Sequence, residues 1–285
     1  MKTSTEYKST VKHVGHEKAI EYIAKAGFDA FDFSMAEMAD YDGYIVPENG
    51  SPLRGNEYLK FVRHLRHIAE DNGIHCNQSH APDPSYIPEV SCWFNRAIEC
   101  TAEMGGKICV IHPDNYKGPE ENAEMFIELL PFAKEHGVKI AVENMWNYDL
   151  EAQHVLPAAC SHHDDFLAHI KAVNDDYLVA CVDVGHAEIQ GLNTSAVQMI
   201  RTLGSHVQAL HLHDTDRIND NHQVPFSMNI DFEAIVRALK DVDYKGYFTL
   251  ESAYYMYDLN PVDVWDGVCH MAKAARRLAD MFDAL

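Results

Sequence analysis

Val138-Lys-Ile-Ala-Val-Glu143 is a short, continuous, β-prone apolar run that closes on a carboxylate. Three later runs repeat the pattern: Leu178-Val-Ala-Cys-Val-Asp183, Val207-Gln-Ala-Leu-His211 and Tyr247-Phe-Thr-Leu-Glu251. Continuous rather than alternating apolar strands belong to parallel sheets covered by helices. A charged group at the end of a buried strand is costly unless a charge, a hydrogen bond or a metal answers it. In a parallel barrel all strands open C-terminally on one face, so residues far apart in sequence meet there. Glu143, Asp183, His211 and Glu251 are therefore expected to hold one divalent metal ion. The oxygen-rich set favours manganese, magnesium or cobalt, with zinc also within its range.

Working outward, strand and helix signals alternate along the whole chain. Helices are expected near residues 16–26, 56–72, 88–104, 119–136, 161–173, 194–204, 231–241 and 262–283. Several end at a glycine, the ordinary C-terminal stop. Strands fall at 28–33, 74–79 and 107–112, beside the four already quoted. An eighth, polar one is expected within residues 5–14. The fold class is thus α/β: a single-domain (β/α)8 TIM barrel spanning 1–285, with an open doubly wound sheet as the alternative. No G-x-G-x-x-G or P-loop sequence supports nucleotide binding on such an open sheet. The long irregular stretches 34–55, 144–160 and 212–230 all follow strands and should form loops over the C-terminal mouth.

Composition narrows the partners. The chain has 285 residues, with 44 acidic against 23 basic side chains and a net charge of −21. Such a surface repels phosphate backbones and anionic lipids unless a basic patch is concentrated somewhere. Arg63, His64, Arg66 and His67 on one helix, and Arg276-Arg277 on the last, read as solvated helix faces. No nucleic-acid or membrane partner is expected, and a homo-oligomer is compatible with the sequence. Seven cysteines form no CxxC pair, and no N-terminal leader or membrane-length apolar run is evident. A reducing cytoplasm is the expected location.

Further polar residues fall at strand ends or just past them: His80, His112, His186, Asp220 and His222. A single such histidine is most often a hydrogen-bonded loop residue. For His80, His112, His186, His211 and His222 together, each on the same side of its strand, that reading weakens in favour of a shared cavity. His162-His163-Asp164 opens an expected helix and reads as a polar N-terminus.

Val142-Glu143-Asn144, Asp183-Val-Gly-His186, Leu210-His211-Leu-His213-Asp214, Asp220-Asn-His222 followed by Ile230-Asp231-Phe232, and Glu251-Ser252 together resemble the xylose-isomerase-like TIM barrels. That superfamily holds ketose 3-epimerases, other sugar isomerases and the endonuclease IV type of apurinic endonuclease. The resemblance to the epimerases implies Glu143, Asp183, His211 and Glu251 as ligands of a single metal. It also implies that His186 and Arg217 contact substrate. The resemblance to the endonuclease implies additional metal bound through His80, His112, His186, Asp220 and His222. One departure is the turn Val224-Pro-Phe-Ser-Met-Asn229, which lacks the glycines found in relatives.

The leading expectation is a metal-dependent sugar isomerase or epimerase. It would take a ketose or related polyol through proton abstraction and an enediolate, with Glu143 and Glu251 as the two catalytic carboxylates. His80, His112, His186, Arg217 and Trp146 are expected to contact the small-molecule sugar, Trp146 through its aromatic face. The alternatives are an endonuclease IV-like zinc-dependent phosphodiester hydrolase, a dehydratase on the same scaffold, and a non-catalytic sugar-binding barrel.

Overall fold

The computed structural model describes residues 1–41, 44, 49–151 and 153–285. β1 (Lys2–Thr5) leads through α1 (Lys8–Val14) and α2 (His16–Ala26) into β2 (Ala30–Ser34). α3 (Tyr58–Asp71) then precedes β3 (His75–His80). α4 (Pro88–Ser91) and α5 (Phe94–Met104) precede β4 (Ile108–Val110), and α6 (Pro119–His136) precedes β5 (Lys139–Glu143). A hairpin of β6 (Trp146–Asp149) and β7 (His154–Pro157) interrupts the alternation. It resumes with α7 (His163–Val173), β8 (Leu178–Asp183), α8 (Val184–Glu188), α9 (Ala196–Leu203) and β9 (Val207–His211). α10 (Phe232–Asp241), β10 (Tyr247–Leu250), α11 (Ala253–Tyr257) and α12 (Val264–Asp283) complete the chain.

Strands β2-β3-β4-β5-β8-β9 form a continuous parallel sheet, and β1 pairs in parallel with β10. The bridges Glu6↔Asp32 and Leu212↔Leu250 join the two pieces, so the strands close into an eight-membered barrel. The expected TIM barrel is what the chain forms.

Strand periodicity sorts the core into two layers. Ile140, Val142, Ala180, Val182 and Leu210 pack outward against the helices in the main hydrophobic cluster. Val110, Ala141, Val179, Cys181 and Ala209 form a small cluster inside the barrel. Glu143, Asp183 and His211 lie two residues beyond Ala141, Cys181 and Ala209. They inherit the inward direction and emerge at the C-terminal mouth.

The first strand corrects the expectation for residues 5–14. It occupies Lys2–Thr5, and Lys8–Val14 is helix α1. The strand is polar because its side chains are answered locally. Ser4 Oγ donates to Asn77 Oδ1 at 2.6 Å, and Thr3 Oγ1 donates to Asp29 Oδ2 at 3.1 Å. The expected 88–104 helix is interrupted at Cys92-Trp93, and the 144–160 stretch contains the hairpin. Residues 42, 43 and 45–48 of the 34–55 stretch lie outside the described residues. In the glycine-free turn, Phe226 itself takes φ +73, with its ring 3.7 Å beneath the Arg277 guanidinium. All seven cysteines are free thiols. Among the described residues, no helix is long and apolar enough to cross a membrane.

Candidate active site

A cavity of about 380 Å³ opens at the mouth, lined by Glu6, Asp32, His80, Asp83, His112, Glu143, His186, Asp220, His222 and Glu251 among others. Met145, Trp146, Tyr254 and Tyr257 supply apolar and aromatic wall. Among the described residues of the lining, Lys8 is the one lysine or arginine.

One half of the site gathers on Glu143 and His211. Glu143 Oε1 lies 2.8 Å from His211 Nδ1, and Glu251 Oε2 lies 3.5 Å from the same nitrogen. Glu143 Oε2 faces His112 Nε2 at 3.1 Å and His80 Nε2 at 3.5 Å, and those two nitrogens are 3.0 Å apart. Burial raises the Glu143 carboxyl, but His211, His112 and His80 outweigh it and hold it well below the usual range. His211 is correspondingly raised: burial pulls it down, while Cys181, Glu143 and Glu251 prevail.

The other half gathers on Asp220. His186 Nε2 is 3.3 Å and His222 Nε2 3.1 Å from Asp220 Oδ2. His213 Nε2 lies 3.8 Å from Asp220 Oδ1 and 3.0 Å from Asp183 Oδ1. The His213 ring stacks on His222, centroids 3.9 Å apart and planes 8° from parallel. Gly185 makes room for it: a Cβ there would sit 2.0 Å from His213 Cε1. Asp183 caps α8 by accepting the His186 backbone N–H at 2.7 Å. Its carboxyl is held near 2, because His186 and His213 overcome the effect of burial.

The hydrogen-bond roles bear on a metal. His80 Nδ1 faces the Ala81 carbonyl at 2.7 Å, His186 Nδ1 the Asn144 carbonyl at 3.0 Å, and His222 Nδ1 the Glu251 carbonyl at 2.8 Å. A carbonyl only accepts, so each Nδ1 carries a proton and each neutral ring turns a bare Nε2 toward a carboxylate. Two lone pairs face to face repel unless a proton or a metal ion stands between them. Without a metal, protons take that place: His80 and His222 are both held up at about 9, where burial opposes the rise and Glu143 and Asp220, respectively, overcome it. Histidines anchored at Nδ1 with Nε2 directed to a shared point are the arrangement metal sites use. The donor set, imidazole nitrogens and carboxylate oxygens, fits a divalent cation. The buried, unpartnered Asp220 Oδ1, His213 Nδ1 and Asp32 Oδ1 agree with that fit.

Of the residues expected from sequence, Glu143, His211, Glu251, His80 and His112 come together, as do Asp183, His186, Asp220 and His222. Asp183 differs from the expected grouping: its carboxylate engages His213, although Asp183 and His211 are register partners. Trp146 lines the cavity with its ring 6.4 Å from that of His186. Arg217 does not line it, and pairs with Glu188 Oε2 at 3.2 Å instead. Sequence reasoning missed His213 and Asp32. Asp32 carried a related signal, a carboxylate inside the otherwise largely apolar strand Ala30–Ser34. His213 follows His211 by two residues, the period of one strand face.

The profile of the xylose isomerase-like TIM barrel family matches residues 20–282, and the chain belongs to that family. An uncharacterized protein of Methanocaldococcus jannaschii is 25% identical over 253 residues, covering 82% of this chain and 78% of that protein. Among solved structures, a D-tagatose 3-epimerase-like protein superposes with a TM-score of 0.72 at 19% identity, covering 100% of this chain and 99% of its own. The IOLI protein, solved with a zinc atom, gives 0.76 at 17% identity with both chains fully covered. L-ribulose 3-epimerase gives 0.71 at 18%, covering 100% of this chain and 95% of its own.

Proposed function

We propose that the chain is a metal-dependent sugar epimerase or isomerase that acts on a ketose or related polyol. The observation that carries this reading is the set of Nδ1-anchored histidines whose Nε2 atoms converge on carboxylates inside a polyol-sized cavity. Glu143, His211 and Glu251, with Asp183, would hold one divalent ion, manganese, magnesium, cobalt or zinc. Once bound, that ion would polarise the carbonyl of the substrate. His80 and His112, and separately His186, Asp220 and His222, have the donors for additional metal.

Glu143 comes from β5 and Glu251 from just beyond β10, with β8 and β9 between them. Two carboxylates separated in this way can take a proton from one face of a carbon beside the carbonyl and return it to the other. The hydroxyls of a sugar would meet His186 and His112, and its C–H face would meet Trp146. With six carboxylates and one lysine in the wall, a neutral substrate suits the cavity better than a phosphorylated one. The same acidity weighs against phosphodiester hydrolysis of DNA, for which the ligand set alone would be adequate.

The test is to load metal-free protein separately with manganese, magnesium, cobalt and zinc. Each form is then assayed by chromatography on D-fructose, D-tagatose, L-ribulose, a ketose phosphate and DNA with an abasic site. Interconversion of a free ketose at its C3 is the expected result. Cleavage of the DNA with no change in any sugar would overturn the reading.

A further inference from the structure

Each ring nitrogen of His211 faces a carboxylate. Nδ1 faces Glu143 at 2.8 Å and Glu251 at 3.5 Å, while Nε2 lies 3.2 Å from Asp32 Oδ2. Asp32 sits on β2, inside the barrel wall, and is 1% exposed. Its Oδ2 also accepts from Gln78 Nε2 at 2.8 Å. Gln78 is held in turn: its Nε2 lies 3.4 Å from the Leu210 carbonyl, and its Oε1 accepts from Thr249 Oγ1 and Asn77 Nδ2, each at 3.3 Å. The orientation of the carboxylate is therefore set from β3 through Gln78, which residues of β9 and β10 hold in turn.

We propose that Asp32 is a positioning residue for the metal centre, fixing the His211 ring with its proton on Nε2 and its Nδ1 lone pair toward Glu143 and Glu251. This rests on the metal-dependent reading above. A neutral imidazole has one N–H, and Asp32 as a carboxylate can only accept. Once that proton is committed to Asp32, Nδ1 meets the two glutamates only across a second proton or a metal ion. The negative charge behind the ring makes it a stronger ligand, as carboxylates behind metal-bound histidines do. Asp32 Oδ1, buried and without a partner, is an uncompensated oxygen that a divalent charge nearby would stabilise. Glu143 and His211 arise from strands whose inward direction is fixed by the fold, but the ring about Cβ–Cγ is not. Asp32 supplies that remaining constraint.

The experiment titrates chelator-treated protein with cobalt(II), followed by visible absorption, for wild type, Asp32→Asn and Asp32→Ala. Melting of the metal-free proteins is measured alongside. Asparagine keeps the shape and an acceptor oxygen but removes the charge, so it is the informative variant if alanine fails to fold. Cobalt affinity should fall between about 10- and 100-fold in Asp32→Asn, with an altered absorption band and an unchanged melting temperature of the metal-free form. Equal affinity in wild type and Asp32→Asn, with cobalt bound by both, overturns the role of Asp32 and leaves the metal-dependent reading standing. Affinity that falls only in step with the melting temperature makes Asp32 a structural residue and also overturns it. No cobalt binding by the wild type overturns both.

Discussion

The two ends of the barrel treat polar residues differently. At the N-terminal end charges are matched. Asp29 accepts from the Thr3 N–H and hydroxyl and from Arg276 at 3.0 Å, and the chain's amino terminus meets Asp283 at 2.6 Å. At the C-terminal mouth they are not. Histidine nitrogens crowd against carboxylates, and Asp32, His213 and Asp220 each keep a buried atom with no hydrogen-bond partner among the described residues. At the lower end Asp29, Arg276, Asp283 and the amino terminus each find a partner at the surface. In barrels of this kind the strand C-termini carry chemistry and the opposite face carries stability.

The largest effect should come from removing a proton acceptor at the mouth. Glu143→Gln or Glu251→Gln keeps an oxygen that can act as a ligand but cannot take or return a proton at neutral pH. Ketose turnover should fall by about 10³-fold or more in either variant, measured as kcat. Retention of robust turnover by the double variant would break the assignment.

Metal removal should be next. Chelator-treated protein should unfold at a lower temperature than protein in excess metal. The difference should be about 2.7 kcal/mol when free metal is a hundred times Kd. Calorimetry with and without metal measures it. Gly185→Ala tests the crowded half of the same end, because its Cβ must displace the His213 ring. A stability loss of about 1–3 kcal/mol is expected by denaturant melting, with weaker metal binding.

The smallest effect belongs to the matched end. Arg276→Ala should cost about 0.5 kcal/mol, since the pair with Asp29 is partly exposed. Burial raises the Asp29 carboxyl, but Thr3 and Arg276 outweigh it and bring it below its ordinary range. This stabilisation is therefore complete above the ordinary carboxylate range and is lost as pH falls through the lowered value. The difference in melting temperature between variant and wild type should shrink in acid, and activity should be unaffected.

The same contrast explains what the sequence made legible. Strands such as Leu178–Asp183 and Val207–His211 could be read because they are largely apolar runs, and these two match to the residue. β1 was misplaced because Thr3, Ser4 and Thr5 are buried through hydrogen bonds rather than apolarity, which periodicity does not register. At the mouth, strand-end residues were found and packing-dependent ones were not. His213 is at the site because Gly185 admits its ring, and Asp32 is there because its strand bridges Glu6 at the barrel's closure. Arg217 was expected on the substrate by resemblance, but its loop turns it to Glu188.

The central claim is that the mouth performs proton chemistry on a metal-held ketose. It is tested most directly by incubating metal-loaded protein with D-fructose, D-tagatose or L-ribulose in deuterium oxide and following the substrate by NMR. The account predicts deuterium at the epimerised carbon, dependent on metal and abolished in Glu143→Gln and Glu251→Gln. Absence of exchange into every free ketose, with manganese, magnesium, cobalt and zinc each supplied, would contradict it.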